Sequence, residues 1–211
     1  MADYKSMLLR RAGVVAPLVY VGAVILGGAR QPGYSHMAEP ISALTATGGF
    51  WINAVFGLYN LLLLAFSAFV ITRPGGGNAG FRVAGWLMAL LGFVGLALWA
   101  FPMDLPGAPA TMSGAVHIGL AAVASVASMA AITAGALGWR QAGERRAAMI
   151  SWVALGFVIV TGGLAAFAAA TGWASVGLLE RLTIGGFLAW VLWSALAWGG
   201  QASSAQNRDA Y

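Results

Sequence analysis

Glu180 and Arg181 stand side by side in Leu-Leu-Glu-Arg-Leu, deep in an otherwise apolar stretch. A buried carboxyl has its pKa raised by desolvation and can act as a general acid. A guanidinium beside it can hold an anionic headgroup or diphosphate, or stabilise developing negative charge. Asp104, in Phe-Pro-Met-Asp, is a second carboxyl of this kind, and His117 can relay or accept a proton. Glu180, Asp104 and His117 are therefore the candidate catalytic residues. Arg181, Glu39, Ser42, Asn53, His36 and Trp190 are the candidate substrate-binding residues. Tryptophan faces in such a site can stabilise a cationic intermediate.

Other chemistry is excluded or weakly signalled. The chain has no cysteine, which removes disulfides, thiol catalysis and cysteine-ligated metals. His36, Asp104, His117 and Glu180 offer nitrogen and oxygen ligands, but no HxxxH or HExxH spacing joins them. No metal is assigned and no cofactor is expected; His36 on a loop is a poor axial partner for a haem. Gly75–Gly77 lacks the Lys and Ser/Thr of a phosphate loop and reads as a flexible turn. The net charge of +5 does not signal nucleic acid, because the basic residues sit at helix ends.

The elements that position these groups follow from hydropathy. The chain is 60% hydrophobic and 8% charged, with a mean hydropathy of +0.82. A soluble domain carries about a quarter charged residues. Six apolar runs read as membrane spans: Leu9–Ala29, Phe50–Ile71, Val83–Phe101, Ser113–Trp139, Ala147–Ala170 and Ser175–Gly199. Each must be helical, because an unpaired amide in hydrocarbon is too costly. The fold class is thus an all-α, six-helix transmembrane bundle forming one domain over 1–211, with a polar tail at 202–211. Lys5, Arg10 and Arg11 ahead of Ala12–Ala29 have the form of a signal peptide, but the run has about the ~20 residues a span needs, so a retained first helix is expected. Pro32-Gly33, Pro74 with Gly75–Gly77, Pro102, Pro106 with Gly107, and Gly172 mark the breaks.

Nine of the eleven basic residues fall on one side of this topology, with Arg30 opposite and Arg181 inside a span. Both termini are therefore expected in the cytoplasm, with the chain in a bacterial inner membrane. That orientation sets depth. His117 lies about 6 Å inside the fourth span at 1.5 Å per residue, level with Asn53, Glu180 and Arg181. The non-basic chemistry gathers in the outer leaflet, and ionisable groups buried there are candidates for function by default. Glu180 and Arg181 point about 100° apart on a helix, so each needs its own partner. Arg181 is expected to pair with Asp104 or Glu39, and Glu180 to lie near His117. Glu39-Pro40-Ile41 reads as the start of a short helix with Pro40 in its first position, ended by Gly48-Gly49, lying as a lid or an interfacial segment on the outer face. The small residues from Ala121 to Ala134 place the fourth span at the centre of the bundle. Trp51, Trp99, Trp139 and Trp173 fall near span ends, as an interfacial belt requires, while Trp190 and Trp193 share one helix face.

Taken together, Arg-Gln-Pro-Gly-Tyr (30–34), Ile-Ser-Ala-Leu (41–44), Phe-Pro-Met-Asp (101–104), His117 and Leu-Leu-Glu-Arg-Leu (178–182) resemble an uncharacterised bacterial family of six-helix membrane proteins, labelled domain of unknown function nine-nine-eight. Family members often have an acidic residue where this chain has Ala43; Glu39 is the nearest substitute. The resemblance implies fold and topology and brings no activity.

Two functional readings follow. In the first, the protein binds a membrane lipid or isoprenoid in an outer-leaflet polar pocket and processes it by acid–base chemistry, as a cyclase or hydrolase does. In the second, it is a non-catalytic lipid-binding protein, small transporter or assembly partner, and the polar cluster is a structural ion-pair network. The near-bare inner halves of the spans, with Asn60, Ser67, Ser128 and Thr133 as weak polar steps, count against ion conduction. The first reading requires Glu180, Asp104 and His117 to converge within hydrogen-bond reach around a cavity deep enough for an acyl or prenyl chain.

Overall fold

The fold is described by a computed structural model covering residues 2–73, 78–105 and 107–208, with side chains over 4–73, 78–105 and 107–198. Pro74, the glycine turn at Gly75–Gly77, Pro106 and the last three positions of the tail lie outside the described residues. The elements are α1 (Ala2–Arg30), α2 (Ile41–Thr47), α3 (Gly49–Thr72), α4 (Ala79–Ala97), α5 (Met112–Gln141), α6 (Arg145–Thr171) and α7 (Val176–Arg208). All except α2 are long and apolar enough to cross a membrane. The six expected spans are all present, and the described residues contain no strand.

Several boundaries shift for identifiable reasons. Asn78 accepts a hydrogen bond from the Phe81 amide at 3.0 Å, so α4 is capped early and starts at Ala79. Arg82 therefore lies in its first turn rather than in the loop. At the other end α4 stops at Ala97, not Phe101, and the chain tightens through Trp99 N–H to Leu96 O and Ala100 N–H to Ala97 O. Pro40 flanks α2 as its N-cap instead of occupying its first position, and Gly48 caps the other end. Gly49, at φ 71°, then turns the chain directly into α3. The polar stretch expected as a tail from 202 continues α7 to Arg208; its Ala and Gln residues favour the helix.

The six long helices form a closed ring in the order α1, α3, α4, α5, α6, α7 and back to α1. α2 lies across one end of the ring, touching α1, α3 and α7. The start of α1 and the end of α7 are at the opposite end, where Arg10 donates from α1 to the Ala195 carbonyl of α7 at 3.1 Å. That end is packed solid. Phe66, Phe69, Phe81, Trp139 and Trp198 interlock there, and the Arg73 guanidinium lies 4.8 Å from the Phe81 ring and 5.2 Å from the Trp198 ring. Trp139 is only 1% exposed and belongs to this core, not to an interfacial belt. Trp99 and Trp173 are exposed, and Trp51 is half-buried beneath the Arg30 guanidinium.

The small residues of α5 do not make it central. Only 22% of its span is buried, against 50% for α3 and α4. Close approach occurs instead where α4 crosses it: a Cβ on Gly80 would stand 2.6 Å from the Gly138 Cα.

Candidate functional site

The short helix α2 is held in place by α7 through backbone contacts that need glycine. The Leu178 amide donates to the Met37 carbonyl at 3.0 Å. A Cβ on Gly177 would stand 2.9 Å from both Glu39 N and Met37 O, so only a glycine lets the segment lie this close. Directly beyond this contact, Glu180 Oε2 accepts the amide of Ile41, the first residue of α2, at 2.7 Å.

Arg181 turns the other way. Its Nη1 donates to the carbonyls of Glu39 and Gly177, each at 2.8 Å, and its Nη2 bonds the Tyr34 hydroxyl. Tyr34 in turn donates to the Pro40 carbonyl at 3.0 Å. The expected pairing of Arg181 with Glu39 thus exists through a main-chain oxygen, and the expected alternative, Asp104, is not among its partners. The Glu39 carboxylate instead accepts the Ser35 amide at 2.7 Å and closes its own turn. Burial pushes the Tyr34 phenol above its usual pKa, with the neighbouring arginine opposing the shift. His36 is exposed, with its ring edge against Tyr34; partial desolvation and Arg181 lower its pKa.

Asp104 and His117 organise the start of α5. Both Asp104 oxygens are engaged by Thr111, one by the amide at 2.9 Å and one by the hydroxyl at 2.7 Å. The same hydroxyl oxygen accepts from Gly114 N at 3.1 Å and caps α5. These bonds hold the Asp104 carboxyl below its ordinary pKa. His117 Nδ1 lies 2.8 Å from the Phe101 carbonyl. A carbonyl can only accept, so Nδ1 carries a proton, and in the neutral ring Nε2 keeps its lone pair. Asp104 is a brace for the helix that carries His117, and not a member of one cluster with Glu180.

Inside the ring, on the α2 side, is a cavity of about 840 Å³. Known small-molecule sites run from about 300 to 1,000 Å³. On α5 its wall extends from His117 to Met129, about 18 Å at 1.5 Å per residue. Its α2 end is polar, with Ser42, Thr45, Asn53, His117 and Glu180. Its depth is largely apolar, with Leu91, Met129, Val158, Ile184 and Phe187, relieved by Tyr20, Tyr59 and Asn60.

The cavity opens sideways. Near their shared turn α5 and α6 bury Ala136, Ala147 and Ala148. Toward α2 the wall residues on their facing sides become exposed: Val126 by 64% and Ile159 by 51%, with Ala122, Gly163 and Ala166 beside them. The mouth therefore lies between two membrane spans.

Of the residues singled out in the sequence, the cavity gathers Glu180, His117, Ser42 and Asn53. Arg181, Glu39, His36 and Asp104 do not line it. Trp190 does not line it either: it is buried, with its indole donating to Ser151 at 3.0 Å. Glu180 and His117 face the same space, but each bonds a main-chain group rather than the other. Among the described residues no three of His, Asp and Glu come together as a metal site. Tyr20 and Tyr59 on the wall went unread in the sequence; a phenol in mid-span, which needs a polar partner when buried, was the available signal.

No curated protein and no solved structure matches the chain. One family profile does, over residues 14–197, and it is described as "Protein of unknown function (DUF998)". With most of its length matched, the chain belongs to the DUF998 family, a six-span member whose ring of helices encloses a laterally open cavity.

Proposed function

We propose that this protein binds a membrane lipid or isoprenoid in the ring cavity, tail inward and polar group at the α2 end. One observation carries the reading: a cavity with an apolar depth and a polar end opens between two spans, where hydrocarbon and not water surrounds the protein. An amphiphile can slide in from the bilayer without leaving it. In a catalytic version Glu180 and His117 are the acid–base pair, since both face the bound molecule. Asp104 has no part, because Thr111 engages both its oxygens.

A non-catalytic reading is favoured by a separate observation. Arg181 and Asp104, two of the residues best suited to chemistry, are committed to holding loops. Binding alone needs neither of them at the ligand.

The orientation belongs to the same proposal. Basic residues from Lys5 to Arg146 collect at the terminal end of the ring and Arg30 lies at the α2 end. We place the termini in the cytoplasm of a bacterium, the chain in its inner membrane and the cavity in the outer leaflet. The chain has no cysteine, so single cysteines at Ser35 and Ala142 can be labelled with an impermeant maleimide in intact cells. Labelling at 35 and not at 142 is expected; the reverse overturns the orientation.

The binding test is native mass spectrometry of detergent-purified protein. Gly163 lines the cavity and a Cβ there meets nothing within 4 Å, so Gly163→Phe adds bulk to the wall at a point with open space beside it. Wild type should retain a lipid that Gly163→Phe loses at unchanged thermal stability. A bare wild-type protein, or equal retention by both, defeats the proposal.

A further inference from the structure

We infer that the ligand's polar group is a hydrogen-bond donor, specifically a free hydroxyl, and not a phosphate ester. The inference rests on the lipid-binding reading above and names the class of lipid.

The argument is an inventory of what the polar end of the cavity has left to offer. Among the described residues no Lys or Arg lines the cavity, and its one acidic group is Glu180. Arg181, the natural holder of a phosphate, is one residue away but faces the α2 segment. A phosphate here would meet no described Lys or Arg, and a charge buried without a partner is costly in a low-dielectric setting.

The uncharged groups point the same way. The Ser42 hydroxyl donates to the Met103 sulfur at 2.9 Å and Thr45 donates to the Ser42 carbonyl at 2.8 Å. Asn53 directs its amide nitrogen to two carbonyls, Thr45 O and Gly49 O, each at 3.0 Å. His117 commits its Nδ1 proton to Phe101 O. Each of these donors is occupied, while lone pairs remain on Ser42 Oγ, Thr45 Oγ1, Asn53 Oδ1 and His117 Nε2. Glu180 receives Ile41 on Oε2, and no described group donates to Oε1. Deeper in, Ser125 and Ser128 likewise donate to Ala121 O and Ser125 O. Among the described residues the donors left on the wall are the Trp99 indole, the Tyr20 and Tyr59 hydroxyls and one Asn60 amide hydrogen. The polar end thus offers more open acceptors than donors, the Tyr20 hydroxyl and the Trp99 indole being the donors left near it, and a hydroxyl placed there can both donate to Glu180 or His117 and accept from them, where an ether oxygen can only accept.

The test uses three matched probes on the full-length protein in detergent: a long-chain prenyl alcohol, its methyl ether and its phosphate monoester. Affinities are read by intrinsic tryptophan fluorescence. The alcohol should bind at least about tenfold more tightly than either of the others. In Glu180→Gln the carboxamide oxygen keeps the Ile41 bond and an N–H₂ donor replaces Oε1, so the alcohol's advantage over the ether should collapse toward parity. His117→Gln, at a separate position, should reduce the alcohol's advantage without abolishing binding of the ether. If none of the three probes binds, the lipid-binding reading itself fails. If they bind equally, or the phosphate binds best, that reading survives and the donor inference is wrong.

Discussion

The amide of Ile41 donates to Glu180 Oε2 at 2.7 Å, across 139 positions of sequence. This single bond fastens the first residue of α2 to the last membrane span and fixes one oxygen of the only carboxyl group on the cavity wall among the described residues. Lid position and ligand chemistry therefore depend on the same side chain.

Removing that side chain should cost stability. Glu180→Ala leaves the Ile41 amide without an acceptor, a loss of about 1–3 kcal/mol. Glu180→Gln retains an acceptor and should stay close to wild type. Thermal unfolding in detergent separates them; equal loss in both variants would show that charge, not the hydrogen bond, holds α2.

Arg181 should behave as a structural residue. Arg181→Ala removes bonds to Glu39 O, Gly177 O and the Tyr34 hydroxyl. Hydrogen bonds from a charged donor contribute about 1.5–3 kcal/mol each, so destabilisation on the order of 3 kcal/mol is expected. The probe preference for alcohol over phosphate should be unchanged, because Arg181 does not line the cavity. A selective loss of phosphate binding would contradict that placement.

Trp190 and Ser151 give a control off the cavity wall. Ser151→Ala strands the buried Trp190 indole N–H, at a cost of about 1–3 kcal/mol. Ligand affinity measured well below the melting temperature should not move.

Gly80 and Gly163 should respond oppositely to enlargement. A side chain on Gly80 meets the Gly138 backbone and Ala134 O, the latter at 2.8 Å from the new Cβ. Gly80→Val should therefore lose about 1–3 kcal/mol through overpacking. Gly163→Phe should be nearly neutral for stability yet abolish lipid retention.

Acid should loosen the α4–α5 connection. Hydrogen bonds from Thr111 depress the Asp104 pKa below the ordinary 3.8. A carboxyl with a lowered folded-state pKa stabilises the protein above its unfolded value, and that stabilisation is lost as pH falls through the folded value. Protection factors of the Thr111 and Gly114 amides, which are corrected for the intrinsic pH dependence of exchange, should fall below about pH 3.8 in wild type, and be lower than wild type at neutral pH in Asp104→Ala. Protection factors in wild type that do not change with pH would remove Asp104 from this role.

Much of the architecture is legible in composition and run length. Six apolar runs of about twenty residues leave a lipid-embedded backbone no alternative to the helix. The lid helix was legible too, from Pro40 and Gly48-Gly49. Boundaries moved where a single side-chain contact intervened, as Asn78 does for α4. The expected central position of α5 failed because small residues permit either tight packing or an open wall, and composition does not distinguish them.

The chemistry divides along the same line. Helix geometry requires Glu180 and Arg181 to diverge by about 100°, and that much can be read without coordinates. Which of them faces the cavity depends on ring closure, which brings the α2 segment against α7 and supplies carbonyls for the cation and an amide for the carboxylate. Asp104 was a plausible acid by residue type and depth, but Thr111, seven positions on, engages both its oxygens. The cavity itself lies inside the ring, between walls contributed by all six long helices and α2. No local pattern encodes it, because it consists of what distant side chains leave unfilled.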